Sequence, residues 1–208
     1  ELLARVEGVL PKGIDLEFDG KYDAMFCYKA KNYALLEDGE VTTRGSALRS
    51  RGVEPYLREL TEALLNHLLG VGGPSPEELL AEFREGLRKG TFNVRRLAKT
   101  EFLSLSPESY KHAVEIESAT KPRRAALEVA LKMSPMPRQG ESVTYYIAPG
   151  QKKTTPDWQK ARPIDTFDPA VAPYDADYYL EKLDDWVERY AAFLAPVASG
   201  QPVQGELL

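Results

Sequence analysis

The chain has 208 residues, of which 43% are hydrophobic and 28% charged, so it can bury a core and lies outside the composition of disordered chains. No apolar run approaches the roughly 20 residues of a membrane helix, and no contact with a membrane is expected. The single cysteine, Cys27, excludes an internal disulfide and a multi-cysteine zinc site, and a cytoplasmic location is expected. The chain begins at Glu1 rather than Met, as expected of a piece of a longer protein, of a chain with missing leading residues, or of a processed one.

The net charge of -5 is unevenly distributed. Between Arg84 and Lys132 there are 11 Lys and Arg against 6 Asp and Glu, whereas between Ile164 and Arg189 there are 2 against 8. A basic middle favours an anionic partner, which the net charge alone would not suggest.

The first 50 residues have the pattern of β-structure. Residues 14–19 alternate apolar and acidic side chains, residues 22–31 and 32–37 continue as extended chain, and Asp38-Gly39 is a hairpin signal before Val41. This pattern predicts a small antiparallel meander.

From about Val53 the apolar residues recur at helical spacing. Ser75-Pro76-Glu77-Glu78 has the form of a capping box with proline at the first helical position. Further helices are predicted to begin near Ser106-Pro107, from Pro122 to Met133 and within 175–194, with a short strand at Val143 to Ile147. The predicted fold is therefore α+β, with a small antiparallel sheet followed by a mainly helical part.

Two sets of polar residues in the β part are candidates for chemistry. Asp15, Glu17 and Asp19 would share one face of a strand, either as a solvated sheet edge or beside divalent metal ions, which prefer oxygen ligands. If residues 29–33 stay extended, Lys29, Lys31 and Tyr33 would also share a face, either solvated and salt-bridged or in contact with phosphate.

Several ordered segments of the sequence resemble family B DNA polymerases. The segments are the acidic residues 14–20, Lys31-Asn32-Tyr33 as a Lys-x-Tyr motif, Thr43-Arg44-Gly45, the strand at 143–147, and the run from Asp165 to Leu180. They follow one another at plausible spacing from about residue 5 to residue 195. The resemblance implies the end of a palm in residues 1–52, a thumb subdomain in 53–200 and a tail in 201–208.

The resemblance also implies roles for single residues. Lys31 would reach the minor groove near the primer terminus, where correctly paired bases all present acceptors. Tyr33 would support the neighbouring backbone, and Arg44 and Arg51 would contact phosphate. Glu17 matches an auxiliary carboxylate beside the family's metal site, with Asp15 behind it.

Two departures from the family pattern concern arginines. The family often has Arg-Arg-Asp where this chain reads Ser50-Arg51-Gly52, and a Pro-His pair where it reads Pro122-Arg123-Arg124. The N-terminus of the helix that follows would carry three cations, Lys121, Arg123 and Arg124, although the helix dipole disfavours cations there. These side chains are therefore either a binding site for the DNA backbone or a solvated cluster.

The resemblance further implies the cofactor and partners. The complete polymerase would use Mg2+ held by aspartates in motifs upstream of Glu1, so no cofactor is expected in this chain alone and it should not polymerise DNA by itself. Its partners would be primer-template DNA and the upstream fingers, palm and exonuclease-like portions of the same polymerase, associated with the nucleoid. Two other functions stay open: a non-catalytic scaffold derived from a polymerase, and a metal nuclease built on the acidic strand.

Overall fold

The computed structural model describes residues 5–6, 8–11, 13–14, 17–49, 52–116 and 122–194. The candidate site residues Asp15, Arg51 and Lys121 and the predicted tail 201–208 lie outside these ranges. Among the helices within them, none is both long enough and apolar enough to cross a membrane.

The described elements form an α+β fold, which is the fold class that the sequence predicted, and they include two three-stranded antiparallel sheets. The strands are β1 (Ala24–Lys29), β2 (Asn32–Glu37), β3 (Glu40–Arg44), β4 (Lys99–Phe102), β5 (Ser142–Ile147) and β6 (Ala161–Pro163). The helices are α1 (Pro55–Leu68), α2 (Pro76–Lys89), α3 (Val94–Leu97), α4 (Pro107–Ile116), α5 (Ala125–Ala130), α6 (Asp157–Lys160) and α7 (Ala176–Leu194), with a 3-10 turn at Ile164–Thr166.

The first sheet has the order β1-β2-β3 and is built from two hairpins. The predicted turn at Asp38-Gly39 is confirmed: both residues have positive φ, 50° and 80°, and Glu37 pairs with Glu40 across it. Two residues with positive φ are typical of the tight turn whose twist matches that of the strands.

Two predictions for this part of the chain were wrong. Residues 17–20 are not a strand, so Glu17 and Asp19 do not share a strand face. In the described sheet β1 pairs only with β2, so residues 17–20 have no strand to pair with. Without the hydrogen bonds of a β-ladder, nothing offsets the repulsion between their carboxylates. Lys29, Lys31 and Tyr33 do not share a strand face either, because the chain reverses at Ala30-Lys31 and the extended backbone that this arrangement requires is interrupted.

The second sheet, of order β4-β5-β6, lies inside the part predicted to be mainly helical. Only β5 was predicted, at nearly its observed bounds. The helix predicted from Pro122 to Met133 is shorter, covering Ala125 to Ala130. The division of the chain near residue 52 into palm and thumb portions stays a prediction.

The larger core lies between α1, α2, α7 and the second sheet, and it is rich in aromatic residues. Tyr56 and Phe83 are fully buried, and their ring centroids lie 6.1 Å apart. The Tyr56 hydroxyl donates to the carbonyl of Tyr179 at 2.9 Å, which satisfies a polar group inside the core. Trp186 of α7 donates through Nε1 to the Thr61 hydroxyl of α1 at 3.0 Å.

The first sheet is attached to this core at two places. Ala34 packs with Leu65 and Leu69 at the end of α1. The rings of Phe26 and Phe193 lie 5.0 Å apart, so the end of α7 covers the same sheet. These contacts fix the direction in which the first sheet presents its hairpin turn.

Candidate nucleic-acid interface

Lys31 lies at the tip of the hairpin between β1 and β2. Lys29 pairs with Asn32, which leaves Ala30 and Lys31 as a two-residue turn after an irregular register at the end of β1. Lys31 has a φ of 61° and an exposed side chain. The ammonium group is therefore carried on a turn that projects from the sheet, not on a strand face.

Asn32 locks the turn that carries Lys31. It is buried, with 8% of its surface exposed, and its Nδ2 donates to the carbonyl of Ala30 at 2.9 Å. Its Oδ1 accepts from the backbone N–H of Ala47 at 2.7 Å. The hairpin is thereby tied to the chain segment that follows β3.

Gly45 makes the close approach of these two segments possible. Its φ is 91°, a left-handed conformation that favours glycine, and a Cβ there would collide with the Lys31 carbonyl and the Asn32 Oδ1. The Lys-x-Tyr motif and the Arg-Gly turn, separate in sequence, are thus in direct contact.

The other candidates on the first sheet lie near this turn. Tyr33 and Arg44 are cross-strand partners on β2 and β3, with Tyr33 half-buried and Arg44 exposed. The Lys29 Nζ lies 5.4 Å from the centroid of the Tyr28 ring. The structure therefore places Lys29, Tyr33 and Arg44 in the sheet whose hairpin turn carries Lys31.

Arg123 and Arg124 lie just before α5, in the second part of the fold. The Arg123 Nη1 lies 2.9 Å from Glu128 Oε1, and its guanidinium lies 5.2 Å from the centroid of the Trp158 ring. The hydrogen bond to Glu128 raises the pKa of Arg123. The charge of Arg123 is therefore partly compensated within the chain.

A second network holds Arg124 and the carboxylate of Glu128. The Tyr110 hydroxyl donates to Glu128 Oε1 at 2.8 Å and accepts from the Arg124 N–H at 3.1 Å. The Arg124 guanidinium donates to the Ser104 hydroxyl at 2.8 Å, although the side chain is exposed. Because α5 has only six residues, its end offers little dipole, and these side-chain contacts determine how the arginines are held.

The described residues do not assemble a metal centre. Glu17 is exposed in a segment without regular structure. Nowhere in the described ranges do three or more acidic, histidine or cysteine side chains converge in a group that could hold a metal ion. The described residues therefore do not fit a resident Mg2+ ion.

Sequence reasoning missed the two residues that position Lys31. Asn32 was read only as the middle of Lys-x-Tyr, and Gly45 only as the end of an Arg-Gly pair. A glycine directly after a strand is a signal of close backbone approach, but its contact with Lys31 depends on the three-stranded sheet.

The chain is similar to archaeal DNA polymerases. It is 30% identical over 183 residues to a DNA polymerase of Thermococcus kodakarensis, covering 87% of this chain and 10% of that protein. It is 28% identical over 183 residues to the DNA polymerase of Thermococcus gorgonarius, covering 87% of this chain and 22% of the relative. No protein-family model matches the chain.

The fold matches that of a family B DNA polymerase from Pyrobaculum calidifontis. The TM-score is 0.61 at 22% identity, over 97% of this chain and 25% of that one. The resemblance to a family B DNA polymerase is therefore confirmed, in sequence by the Thermococcus relatives and in fold by the Pyrobaculum enzyme. The chain spans only about a tenth to a quarter of the length of these proteins.

Proposed function

We propose that this chain is the end of the palm and the thumb of a DNA-directed DNA polymerase and that it holds the primer-template duplex. The observation that carries the proposal is the exposed Lys31 on a turn braced by Asn32 and Gly45. An ammonium group carried on a braced turn can probe the acceptors that every correct base pair presents in the minor groove, without reading the sequence.

The remaining candidates have supporting roles in this proposal. Arg44 and Lys29, beside the turn, and Arg124, before α5, contact backbone phosphates, which position the duplex without sequence preference. Arg123 contributes less, because Glu128 already compensates its charge. Arg51 and Lys121 join this set by resemblance alone.

Catalysis belongs to another portion of the polymerase in this proposal. Carboxylates of the polymerase outside this chain would hold Mg2+, which when bound would stabilise the attacking and leaving oxygens of phosphoryl transfer. Glu17 and Asp15 are auxiliary carboxylates, and the chain alone is inactive. The partners are primer-template DNA and the fingers, palm and exonuclease-like portions of the same enzyme, in the cytoplasm.

Duplex binding by the Lys31→Ala variant tests the proposal. The unaltered chain is expected to bind a labelled primer-template weakly, with affinity that falls as salt rises, because released counterions supply the binding free energy. Lys31→Ala should bind more weakly across the salt series, because it loses the donor to the minor-groove acceptors, while the slope of log affinity against log salt, which phosphate contacts set, should change little. Fluorescence anisotropy over a salt series measures both quantities.

Lys21→Ala is the matched control. Lys21 is also an exposed lysine of the first 50 residues, but it precedes β1. The Lys21→Ala variant should bind DNA like the unaltered chain. Absence of binding at low salt, or equal affinities of Lys31→Ala and the unaltered chain, would refute the gripping role.

A second candidate is a non-catalytic scaffold derived from a polymerase. The pairing of Arg123 with Glu128 and the net charge of -5 favour it, because both weaken attraction to DNA. The open reading frame of the parent gene distinguishes the two functions. Intact acidic metal motifs upstream support the polymerase, and their loss supports the scaffold.

A further inference from the structure

A cleft of about 590 Å³ lies between the turn after β3, α1 and α7. This volume is within the range of clefts that bind small molecules. Three arginines line it, one from each of these segments: Arg49 after β3, Arg58 in α1 and Arg189 in α7. Distant parts of the chain therefore bring three guanidinium groups, the cleft arginines, to one concave surface.

The cleft arginines carry charges that no other described residue compensates. All three side chains are exposed, and the ion pairs of arginine within the described ranges are formed by Arg84, Arg96 and Arg123 instead. The two lysines that line the cleft, Lys99 and Lys182, lie 3.2 and 3.9 Å from a carboxylate. The uncompensated positive charge of the cleft therefore lies on its arginines.

Hydrogen bonds fix the backbone positions from which the cleft arginines extend. The Arg49 N–H donates to the carbonyl of Gly45 at 3.2 Å, within the braced turn after β3. The hydrogen bond from Trp186 Nε1 to the Thr61 hydroxyl joins the two helices that carry the other arginines, and both of these residues line the cleft. Little backbone ordering is therefore needed when a ligand binds, which favours affinity.

Arg189 lies beside a tyrosine hydroxyl of the same cleft. Burial raises the pKa of Tyr190, whereas the charge of Arg189 and a hydrogen bond with it oppose this rise. A neutral phenol can share a hydrogen bond with a guanidinium group but cannot neutralise it. The charge of Arg189 therefore remains available to an anion.

Carboxylates restrict the kind of anion that can bind. Four of them line the cleft together with the arginines: Glu54, Glu62, Asp157 and Asp185. An extended polyanion, such as a nucleic-acid strand, would bring some of its charges against these carboxylates, and like charges repel. A compact anion can contact the arginines alone.

Phosphate groups suit this arrangement of donors. A guanidinium group is a planar fork that donates two parallel hydrogen bonds to a pair of phosphate oxygens. An anion between three such groups also relieves the repulsion among them. We propose that the cleft binds a compact phosphorylated small molecule whose phosphate groups are held by the cleft arginines. This interaction does not depend on the proposed binding of DNA.

Isothermal titration calorimetry with inorganic pyrophosphate, at constant ionic strength and without divalent cations, tests the proposal. The unaltered chain should bind pyrophosphate more tightly than N-acetyl-Glu-Glu-amide, which offers carboxylates in place of phosphates. Arg58→Gln and Arg189→Gln should each weaken pyrophosphate binding at least about tenfold, because each removes charge-assisted hydrogen bonds.

Arg88→Gln is the matched control. Arg88 is an exposed arginine of α2 that lies outside the cleft. Its substitution should leave the affinity for pyrophosphate unchanged. The comparison of pyrophosphate with the glutamate peptide on the unaltered chain does not require any variant to fold.

Three calorimetric results would overturn the proposal: absence of pyrophosphate binding, a preference for the glutamate peptide, or an equal loss of affinity in Arg88→Gln. Fluorescence anisotropy of a labelled primer-template distinguishes the small molecule from DNA. Arg58→Gln should change the affinity for the duplex less than the affinity for pyrophosphate. Equal losses, with displacement of the duplex by pyrophosphate, would assign the arginines to DNA and also overturn the proposal.

Discussion

At Gly45 the chain passes so close to the Lys31 hairpin that even a methyl side chain would meet the carbonyl of Lys31 and the amide oxygen of Asn32. The same glycine has a left-handed backbone, with a φ of 91°. Gly39 also has a positive φ, 80°, but nothing lies within 4 Å of a Cβ built there. An alanine at Gly39 would therefore suffer only the cost of a left-handed backbone, whereas an alanine at Gly45 would suffer that cost and a collision.

We expect Gly45→Ala to destabilise the fold more than Gly39→Ala. Left-handed backbone costs an alanine roughly 1–2 kcal/mol at either position. At Gly45 the collision should add about 1–3 kcal/mol, as overpacking does elsewhere. Urea denaturation measures both losses of unfolding free energy, and equal losses would show that the hairpin tolerates the methyl group.

Sequence reasoning identified Lys31 but not its geometry. The resemblance selected Lys31, Tyr33 and Arg44, and the structure places Tyr33 and Arg44 in the sheet and Lys31 on its hairpin turn. The shared strand face of Lys29, Lys31 and Tyr33 required extended backbone. The reversal at Ala30-Lys31 removes it, and sequence reasoning missed this turn because the positive φ falls on a lysine rather than on a glycine or asparagine. The bracing contact of Asn32 with Ala47 is nonlocal, so no local pattern encodes it.

At the scale of elements, the start of α2 is the best predicted feature. The Ser75 hydroxyl accepts from the Glu78 N–H at 3.1 Å, and the Glu78 carboxylate accepts from the Ser75 N–H at 3.3 Å. This capping box is confirmed because its chemistry is local. By contrast, β4 and β6 have four and three residues and depend on pairing with β5, so their own sequences carry little signal.

Ser75→Ala is expected to lower the free energy of unfolding by about 1 kcal/mol, because an N–H at the start of α2 loses its acceptor. Ser75→Gly should cost only a few tenths of a kcal/mol, since glycine is itself a tolerated N-cap. Urea denaturation of the two variants measures the difference. Identical losses would show that the capping hydrogen bond contributes nothing.

At the scale of the whole molecule, the core depends on tyrosines that are buried uncharged. Burial raises the pKa of Tyr56 and of Tyr179, and burial together with the hydrogen bond to Glu101 raises that of Tyr145. The folded chain therefore keeps these protons at a pH where the unfolded chain releases them. Their contribution to stability is present below pH about 10 and is lost as the pH rises further.

Tyr56→Phe should weaken this dependence on pH. Each buried tyrosine contributes up to about 1.4 kcal/mol per pH unit to the fall in unfolding free energy above pH about 10. The variant, although less stable because it lacks the hydrogen bond to Tyr179, should show a slope smaller by that amount. Urea denaturation between pH about 9 and 11 measures it, and parallel slopes would contradict the assignment.

The aromatic contacts between the first sheet and the end of α7 have a consequence for synthesis. Phe26 contacts Phe193, and the ring centroid of Tyr28 lies 5.3 Å from that of Tyr190. Residues near opposite ends of the described chain therefore pack against one another. Contacts of such large sequence separation form slowly. The hairpin that carries Lys31 is synthesised before α7, so its inner face stays uncovered until that helix has been translated.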